Sequence, residues 1–172
     1  LARVDGIYKF PSQFQLIAAA NPCPCGYFGD KTHICKCSPA KISSYQSKIG
    51  GPLMDRIDIV CDVARPSSER VIEGEVGLTS AGMHSLVISG REFASWRETH
   101  GLKSTSRQKY VETFDDSALQ LLHRFARGLH LGGRAITRTC RVARTIADIS
   151  HHEKVTKDDV SEAVAYRSRS LE

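Results

Sequence analysis

Four cysteines near the start of the chain have the type and spacing of metal ligands. They form two pairs with one residue between the partners of each: Cys23 and Cys25, then Cys35 and Cys37. Four thiolates delivered as two pairs can satisfy a tetrahedral zinc ion. Gly26 and Gly29 lie between the pairs and allow the loop to fold back. Because the protein would supply all four ligands, such a zinc ion would be structural rather than catalytic.

The cysteine spacing also leaves other interpretations open. Zinc ribbons commonly use Cys-x-x-Cys rather than Cys-x-Cys, and His33 is close enough in sequence to replace one thiolate. The thiols could instead be free or redox-active, or could form disulfides, although the sequence shows no secretory signal that would favour disulfides. Cys61 and Cys140 stand alone in apolar patterns and are expected to be buried as small apolar side chains.

Arginines recur along one predicted helix in the last third of the chain. Their spacings are four, three and three residues: Arg134, Arg138, Arg141 and Arg144. At 100° per residue they share about a third of the helix circumference, opposite an apolar stripe. This pattern is typical of a solvated basic face, but it also suits arginines that meet phosphate. Arg134 is the best placed for phosphate, because the preceding glycine pair allows close approach of a ligand.

Two more polar side chains adjoin predicted strands. Asn21 ends an apolar run, and the carboxyl ends of strands line the ligand crevice in open α/β sheets. Asn21 could therefore hold a water molecule or a phosphate oxygen, or it could only cap the loop. Arg56 stands before the second predicted strand with aspartates on both sides. Its pattern fits a surface ion pair or a functional contact.

The elements that must position these residues form an α/β half followed by an all-α half. The apolar run that ends at Ala20 predicts a strand buried on both faces, and the alternation over residues 57–63 predicts a second strand. Between them, Ser38 and Pro39 begin a helix that runs to about Ile49. Because two strands cannot close a parallel sheet, the α/β half is either incomplete or borrows strands from elsewhere, and incompleteness is the expectation.

The second half of the sequence predicts a compact helical unit. A helix is expected over residues 80–99, followed by a polar linker at 100–112. Three further helices are expected to end near Arg127, Ser150 and Arg167, and the last has a capping-box pattern at its start.

Composition narrows the class of protein without identifying it. The chain has 172 residues, 41% hydrophobic and 25% charged, which is typical of a globular protein. The net charge of +5 mildly favours an anionic partner such as nucleotide or nucleic acid. No apolar run is long enough to span a membrane, and a cytoplasmic location is expected. The missing initiator Met indicates that the chain is part of a longer protein.

Two stretches combine these signals into one known pattern. Residues 14–29 read Phe-Gln-Leu-Ile-Ala-Ala-Ala-Asn-Pro-Cys-Pro-Cys-Gly-Tyr-Phe-Gly, and residues 51–58 read Gly-Pro-Leu-Met-Asp-Arg-Ile-Asp. They resemble the magnesium-chelatase-like AAA+ ATPases, and more narrowly their ComM-type branch. Residues 134–148 resemble the helical lid of the same branch. The resemblance covers residues 10–65 and 113–168.

The resemblance implies three parts and three nucleotide-site residues. Residues 1–65 would be the C-terminal part of the AAA+ α/β core, 66–112 a connector with a helix, and 113–170 the helical lid. Asn21 would be the sensor-1 asparagine, Arg56 the arginine finger and Arg134 the sensor-2 arginine. Asn21 and Arg134 would also bind the nucleotide.

The resemblance further implies a motor that uses ATP and Mg²⁺ in the intact protein. Like subunits would assemble into a hexameric ring, as in this branch. The ring would act on DNA in branch migration during recombination or transformation. The sequence contains neither a Gly-x-x-x-x-Gly-Lys-[Ser/Thr] motif nor the acidic pair of a Walker B strand. These 172 residues alone are therefore expected to hydrolyse no ATP. The alternatives are a zinc-stabilised module that binds DNA or protein without nucleotide, and a magnesium-chelatase-like assembly subunit.

Overall fold

The structure, a computed structural model, describes residues 2–30, 32–54, 56–74, 77–100 and 111–167. The chain forms two compact units, residues 1–46 and residues 47–172. The linker predicted at 100–112 falls mostly outside the described residues, as does Asp55.

The first unit contains little regular structure. Strand β1 (Ala2–Arg3) pairs antiparallel with β2 (Gly6–Ile7). The predicted helix is present as α1 (Pro39–Gln46), and its first turn is capped as expected, because the Lys41 N–H donates to Ser38 Oγ at 3.4 Å. The helix ends at Gln46, three residues before the predicted end.

The two predicted strands do not form strands in the structure. Residues 14–20 and 57–63 have no ladder partner among the described residues, where the β1–β2 hairpin is the one sheet. The side chains of Phe14 and Ile17 are 73% and 84% exposed. A segment becomes a strand only when a neighbouring strand satisfies its N–H and C=O groups, and the described part of the chain supplies no such strand for these residues. The α/β sheet therefore remains a prediction.

The second unit is helical, as the sequence predicts for the end of the chain. Its helices, in the described residues, are α2 (Gly51–Met54), α3 (Ser68–Glu73), α4 (Ser80–Thr99), α5 (Asp116–Gly128), α6 (Gly133–Ile149) and α7 (Lys157–Ala165). Helix α3 was not expected. Helix α4 has the predicted bounds and continues through both of its glycines. The predicted capping box of α7 is present, with Thr156 and Asp159 bonded reciprocally.

The core of the second unit lies where α7 packs against α5 and α6, and α4 packs against the other side of α6. Its buried apolar side chains come from all three helices of the first group, among them Leu122, Ala143 and Val160. The segment before α5 is tied to the segment before α7, because Val155 N–H donates to the Thr113 carbonyl at 2.7 Å. No helix among the described residues is both long and apolar enough to cross a bilayer.

Candidate metal centre and candidate phosphate-binding arginines

The structure brings the four predicted metal-binding cysteines together. Their sulfur atoms all lie within 4.8 Å of one another: Cys23, Cys25, Cys35 and Cys37. The Sγ atom of Cys23 lies 3.3 Å from that of Cys25 and 3.7 Å from that of Cys35, and the last two are 3.5 Å apart. All four are free thiols rather than disulfides.

These separations suit a tetrahedral metal site. Zinc–sulfur bonds of about 2.3 Å in a tetrahedron place the sulfurs about 3.8 Å apart, whereas a disulfide requires about 2.05 Å. Cys23 is fully buried and the other three cysteines are partly buried. The group can therefore enclose a small thiophilic cation with little rearrangement.

Tight turns in the loop produce this convergence. Gly26 has a φ of 81° and Gly29 a φ of 82°, in the left-handed region that favours glycine. The Gly26 N–H donates to the Cys23 carbonyl at 3.0 Å and closes the turn around the first pair. Gln46 Nε2, on the last turn of α1, donates to the Pro22 carbonyl at 3.0 Å. Both ends of the cysteine loop are thus held in place.

His33 does not belong to this cluster. The metal-compatible group in the described residues contains the four cysteines alone. The His33 ring stacks on Tyr27 with centroids 5.0 Å apart, and its Nδ1 atom lies 2.9 Å from Thr32 Oγ1. The structure therefore favours four thiolates over the alternative in which His33 replaces one of them.

The crowding of the thiols separates their pKa values. The backbone N–H of Tyr27 and then the Cys23 thiol stabilise the thiolate of Cys25 and lower its pKa to about 6. At Cys35 the backbone N–H of Cys37 acts in the same direction, but desolvation and hydrogen bonds to the neighbouring thiols outweigh it, and its pKa is about 12. Without a cation only part of the cluster can ionise, since like charges at this distance repel.

The two remaining cysteines differ from each other. Cys140 is buried in α6 as predicted, and desolvation raises its pKa to about 11. The prediction for Cys61 was wrong, because its side chain is exposed. The strand expected to bury Cys61 has no neighbour in the described residues.

The three candidate nucleotide-site residues are all exposed. Asn21 follows the extended segment of the first unit, two residues before the cysteine cluster. Arg56 follows α2, and its N–H donates to the Leu53 carbonyl at 2.8 Å. Arg134 lies in the first turn of α6, which begins after Gly132 without a side-chain cap. Their assignment to a nucleotide site remains a prediction.

The predicted basic face of α6 is only partly solvated. Arg134 and Arg141 are exposed, but Arg144 is 3% exposed and its Nη1 atom donates to the Glu153 carbonyl at 2.9 Å. Arg138 is half-buried and its Nε atom lies 3.4 Å from Asp58 Oδ1. The sequence pattern misled here because α6 packs on two sides, against α4 and α7, so its buried surface is wider than the apolar stripe.

A buried ion network joins α4 to α6, and the sequence reasoning missed it. Arg97 is 1% exposed, and its Nε atom donates to Asp148 Oδ1 at 2.9 Å while Nη2 donates to Oδ2 at 3.2 Å. Arg144 pairs with the same carboxylate at 2.9 Å. Burial lowers the pKa of Arg144, and the Asp148 carboxylate opposes this shift. The sequence signal that could have indicated this network is the four-residue spacing of Arg144 and Asp148, which places both side chains on one face of a helix.

The described residues contain a four-thiolate loop and a helical domain in which α6 begins with an exposed arginine. The class of protein that combines these features is identified by comparison with known proteins. The family profile described as magnesium chelatase, subunit ChlI, matches residues 1–71, and that described as its C-terminal part matches residues 77–167. The chain belongs to this magnesium-chelatase-like family.

Curated relatives place the chain near the ComM proteins. The competence protein ComM of Haemophilus influenzae is 31% identical over 172 residues, covering 98% of this chain and 33% of the relative. YifB of Escherichia coli is 31% identical over 177 residues, with 98% and 33% covered. A Mycobacterium tuberculosis protein is 32% identical over 176 residues, with 97% and 34% covered. The chain thus spans about a third of the length of the relatives it matches.

Proposed function

We propose that the chain is the downstream part of the ATPase module of a ComM-type AAA+ motor. The observation that carries the proposal is the family match over nearly the whole chain. It is supported by the exposed side chains at the three positions that the sequence resemblance assigns to a nucleotide site. In this proposal Asn21 orients the attacking water, Arg56 reaches the nucleotide of a neighbouring subunit, and Arg134 contacts the phosphates from the lid.

The proposed chemistry is electrostatic. Phosphoryl transfer is catalysed mainly by positioning and by positive charge on the migrating phosphate. A guanidinium group suits this because its planar fork binds two phosphate oxygens at once. ATP and Mg²⁺ would be held by a phosphate-binding loop and acidic residues that these 172 residues do not contain. The chain by itself is therefore expected to hydrolyse no ATP.

Two further parts of the proposal concern metal and partners. The cysteine cluster would hold one structural zinc ion, because four thiolates leave no open position for a substrate. Ring assembly, as a hexamer, would bring Arg56 to the next subunit's nucleotide. The work of the motor would be DNA remodelling such as branch migration, which the name of the competence protein ComM and the net charge of +5 support.

One observation favours a second candidate function. The four thiols of the cysteine cluster converge through contacts within residues 22–46, as in a zinc-stabilised module that binds DNA or protein. If this candidate is correct, removal of Arg56 leaves every activity of the full-length protein unchanged.

The test is ATP hydrolysis by the full-length protein that contains this chain. Arg56→Ala is expected to lower kcat by about 10³-fold, the typical contribution of an arginine finger. Arg124→Ala, an exposed arginine on α5, is the matched control and is expected to retain wild-type kcat. Unaltered hydrolysis by the Arg56 variant would contradict the motor proposal.

A further inference from the structure

The chain segment that follows Arg56 is attached to the helical domain at two points. The Asp58 carboxylate lies 3.4 Å from Nε of Arg138, which belongs to α6. Two residues later, the Val60 N–H donates to the Tyr166 carbonyl at 2.9 Å, just beyond the end of α7. Residues 58–60 therefore lie on the helical domain rather than in a sheet.

These attachments form a short path between the two candidate phosphate-contacting arginines. Arg56 is two residues before Asp58, and the Ile57 N–H donates to the Met54 carbonyl at 3.1 Å, which limits the freedom of the peptide between them. At the other end of the path, Arg138 lies four residues after Arg134, about one turn along α6.

We propose that Asp58 and Arg138 are positioning residues that make Arg56 and Arg134 move as one body within a subunit. This inference rests on the proposed function. Loss of this ion pair leaves Arg56 and Arg134 present but no longer coupled, so α6 no longer sets the position of Arg56. If the finger serves a neighbouring nucleotide, the pair connects the lid of one subunit to hydrolysis in the next.

The energetics argue for positioning rather than for stability. Asp58 is 47% exposed and Arg138 is 22% exposed, and such pairs contribute only about 1 kcal/mol or less to folding. In addition, Arg138 Nη1 is buried without a hydrogen-bond partner among the described residues, which costs free energy.

A charge-swap cycle in the full-length protein tests the inference. Asp58→Arg and Arg138→Asp are each expected to lower the kcat of ATP hydrolysis by about tenfold through misplacement of the finger, with the KM for ATP changed less than about twofold. The reciprocal variant, with both substitutions, restores the ion pair and is expected to recover most of the kcat. Arg124→Asp makes the same charge change on exposed α5 and is expected to leave kcat unchanged.

Thermal unfolding of each variant separates positioning from folding. If a charge reversal lowers Tm markedly, the milder Asp58→Asn and Arg138→Gln replace it, because they remove the charge without reversing it and keep a polar side chain. Single variants with wild-type kcat, or a double variant as slow as the singles at unchanged Tm, would overturn the inference. If Arg56→Ala itself has no effect on hydrolysis, the proposed function fails, and the two failures are thereby distinguished.

Discussion

Burial decides what a guanidinium group does in this molecule. Arg97 and Arg144 are both almost fully buried and share the Asp148 carboxylate. Removing one partner of such a network leaves a charge without compensation and costs several kcal/mol, roughly 3–5. Arg56 and Arg134 have the same chemistry, but their side chains are exposed. Residue type alone therefore does not separate structural arginines from functional ones.

At the residue scale, the cysteine cluster yields a metal prediction. The protein purified under reducing conditions without chelator is expected to contain about one zinc ion per chain, which suits a closed site of four thiolates. Replacing Cys35 and Cys37 together by serine should remove the zinc, because two ligands cannot hold it. Elemental analysis by mass spectrometry measures the outcome. Cys61→Ser is the control, since this exposed cysteine lies outside the cluster, and wild-type protein free of metal would refute the prediction.

At the scale of a single helix, Asp115 caps the start of α5. Its Oδ1 atom accepts from the Ala118 N–H at 2.6 Å and from the Ser117 hydroxyl at 2.7 Å, and these bonds lower the pKa of the carboxyl group. A carboxylate with a lowered folded-state pKa stabilises the fold above its unfolded pKa of about 3.9. That contribution is lost as pH falls through the lower, folded-state value.

Asp115→Ala is therefore expected to lower the free energy of unfolding by about 1 kcal/mol at neutral pH. The difference from wild type should shrink as the pH falls below 4 and vanish once Asp115 is protonated in the folded state. Urea unfolding at several pH values measures it. Asp116→Ala, one residue later and exposed, is the control and should cost only a few tenths of a kcal/mol. A pH-independent difference would contradict this account.

Between helices, Gly90 allows α4 to approach the end of α6. A Cβ atom at this position would lie 3.0 Å from Ile149 Cγ1 and 3.3 Å from Ile149 Cα. Because the Cα atom belongs to the backbone of α6, it cannot move aside as a side chain can. Glycine at position 90 is therefore required by the packing of α4 against α6, and α4 continues through it without interruption.

Gly90→Ala is expected to destabilise the protein by about 1–3 kcal/mol through overpacking, although alanine favours a helix by about 1 kcal/mol relative to glycine. Gly82→Ala on the same helix is the matched control. There the nearest atom to the new Cβ is Thr79 Oγ1 at 3.4 Å, so stability should be unchanged or raised. Chemical denaturation of both variants measures the difference, and a stabilised Gly90→Ala protein would show that the two helices separate easily.

At the scale of the whole molecule, the net charge of +5 predicts the strength and the salt dependence of any binding to DNA. We expect weak binding that is independent of base sequence and falls steeply as salt rises, because phosphate contacts release counterions. Fluorescence anisotropy with two duplexes of different sequence, measured from low to physiological salt, reports both properties. Binding that ignores salt, or that differs strongly between the duplexes, would contradict the prediction.

The helices were largely predictable because their signals are local. The capping box at Thr156 and Asp159, the cap at Ser38, and the bounds of α4 and α6 depend on side chains within a few residues of each helix end. The strands were not realised for the opposite reason. A strand needs a partner that its own sequence does not contain, and the structure shows none for residues 14–20 or 57–63 in its described part.

The amino-acid sequence by itself determined the family, the cysteine spacing, the helices and the candidate arginines, because each depends on residue type and short-range order. Only the tertiary structure decided which groups meet. It brought four sulfurs within 4.8 Å, left His33 out of that group, buried Arg97 with Asp148, and set Asp58 against Arg138. The physical reason is that these contacts join segments remote in sequence, whose approach depends on how α4, α6 and α7 pack and on how the cysteine loop turns.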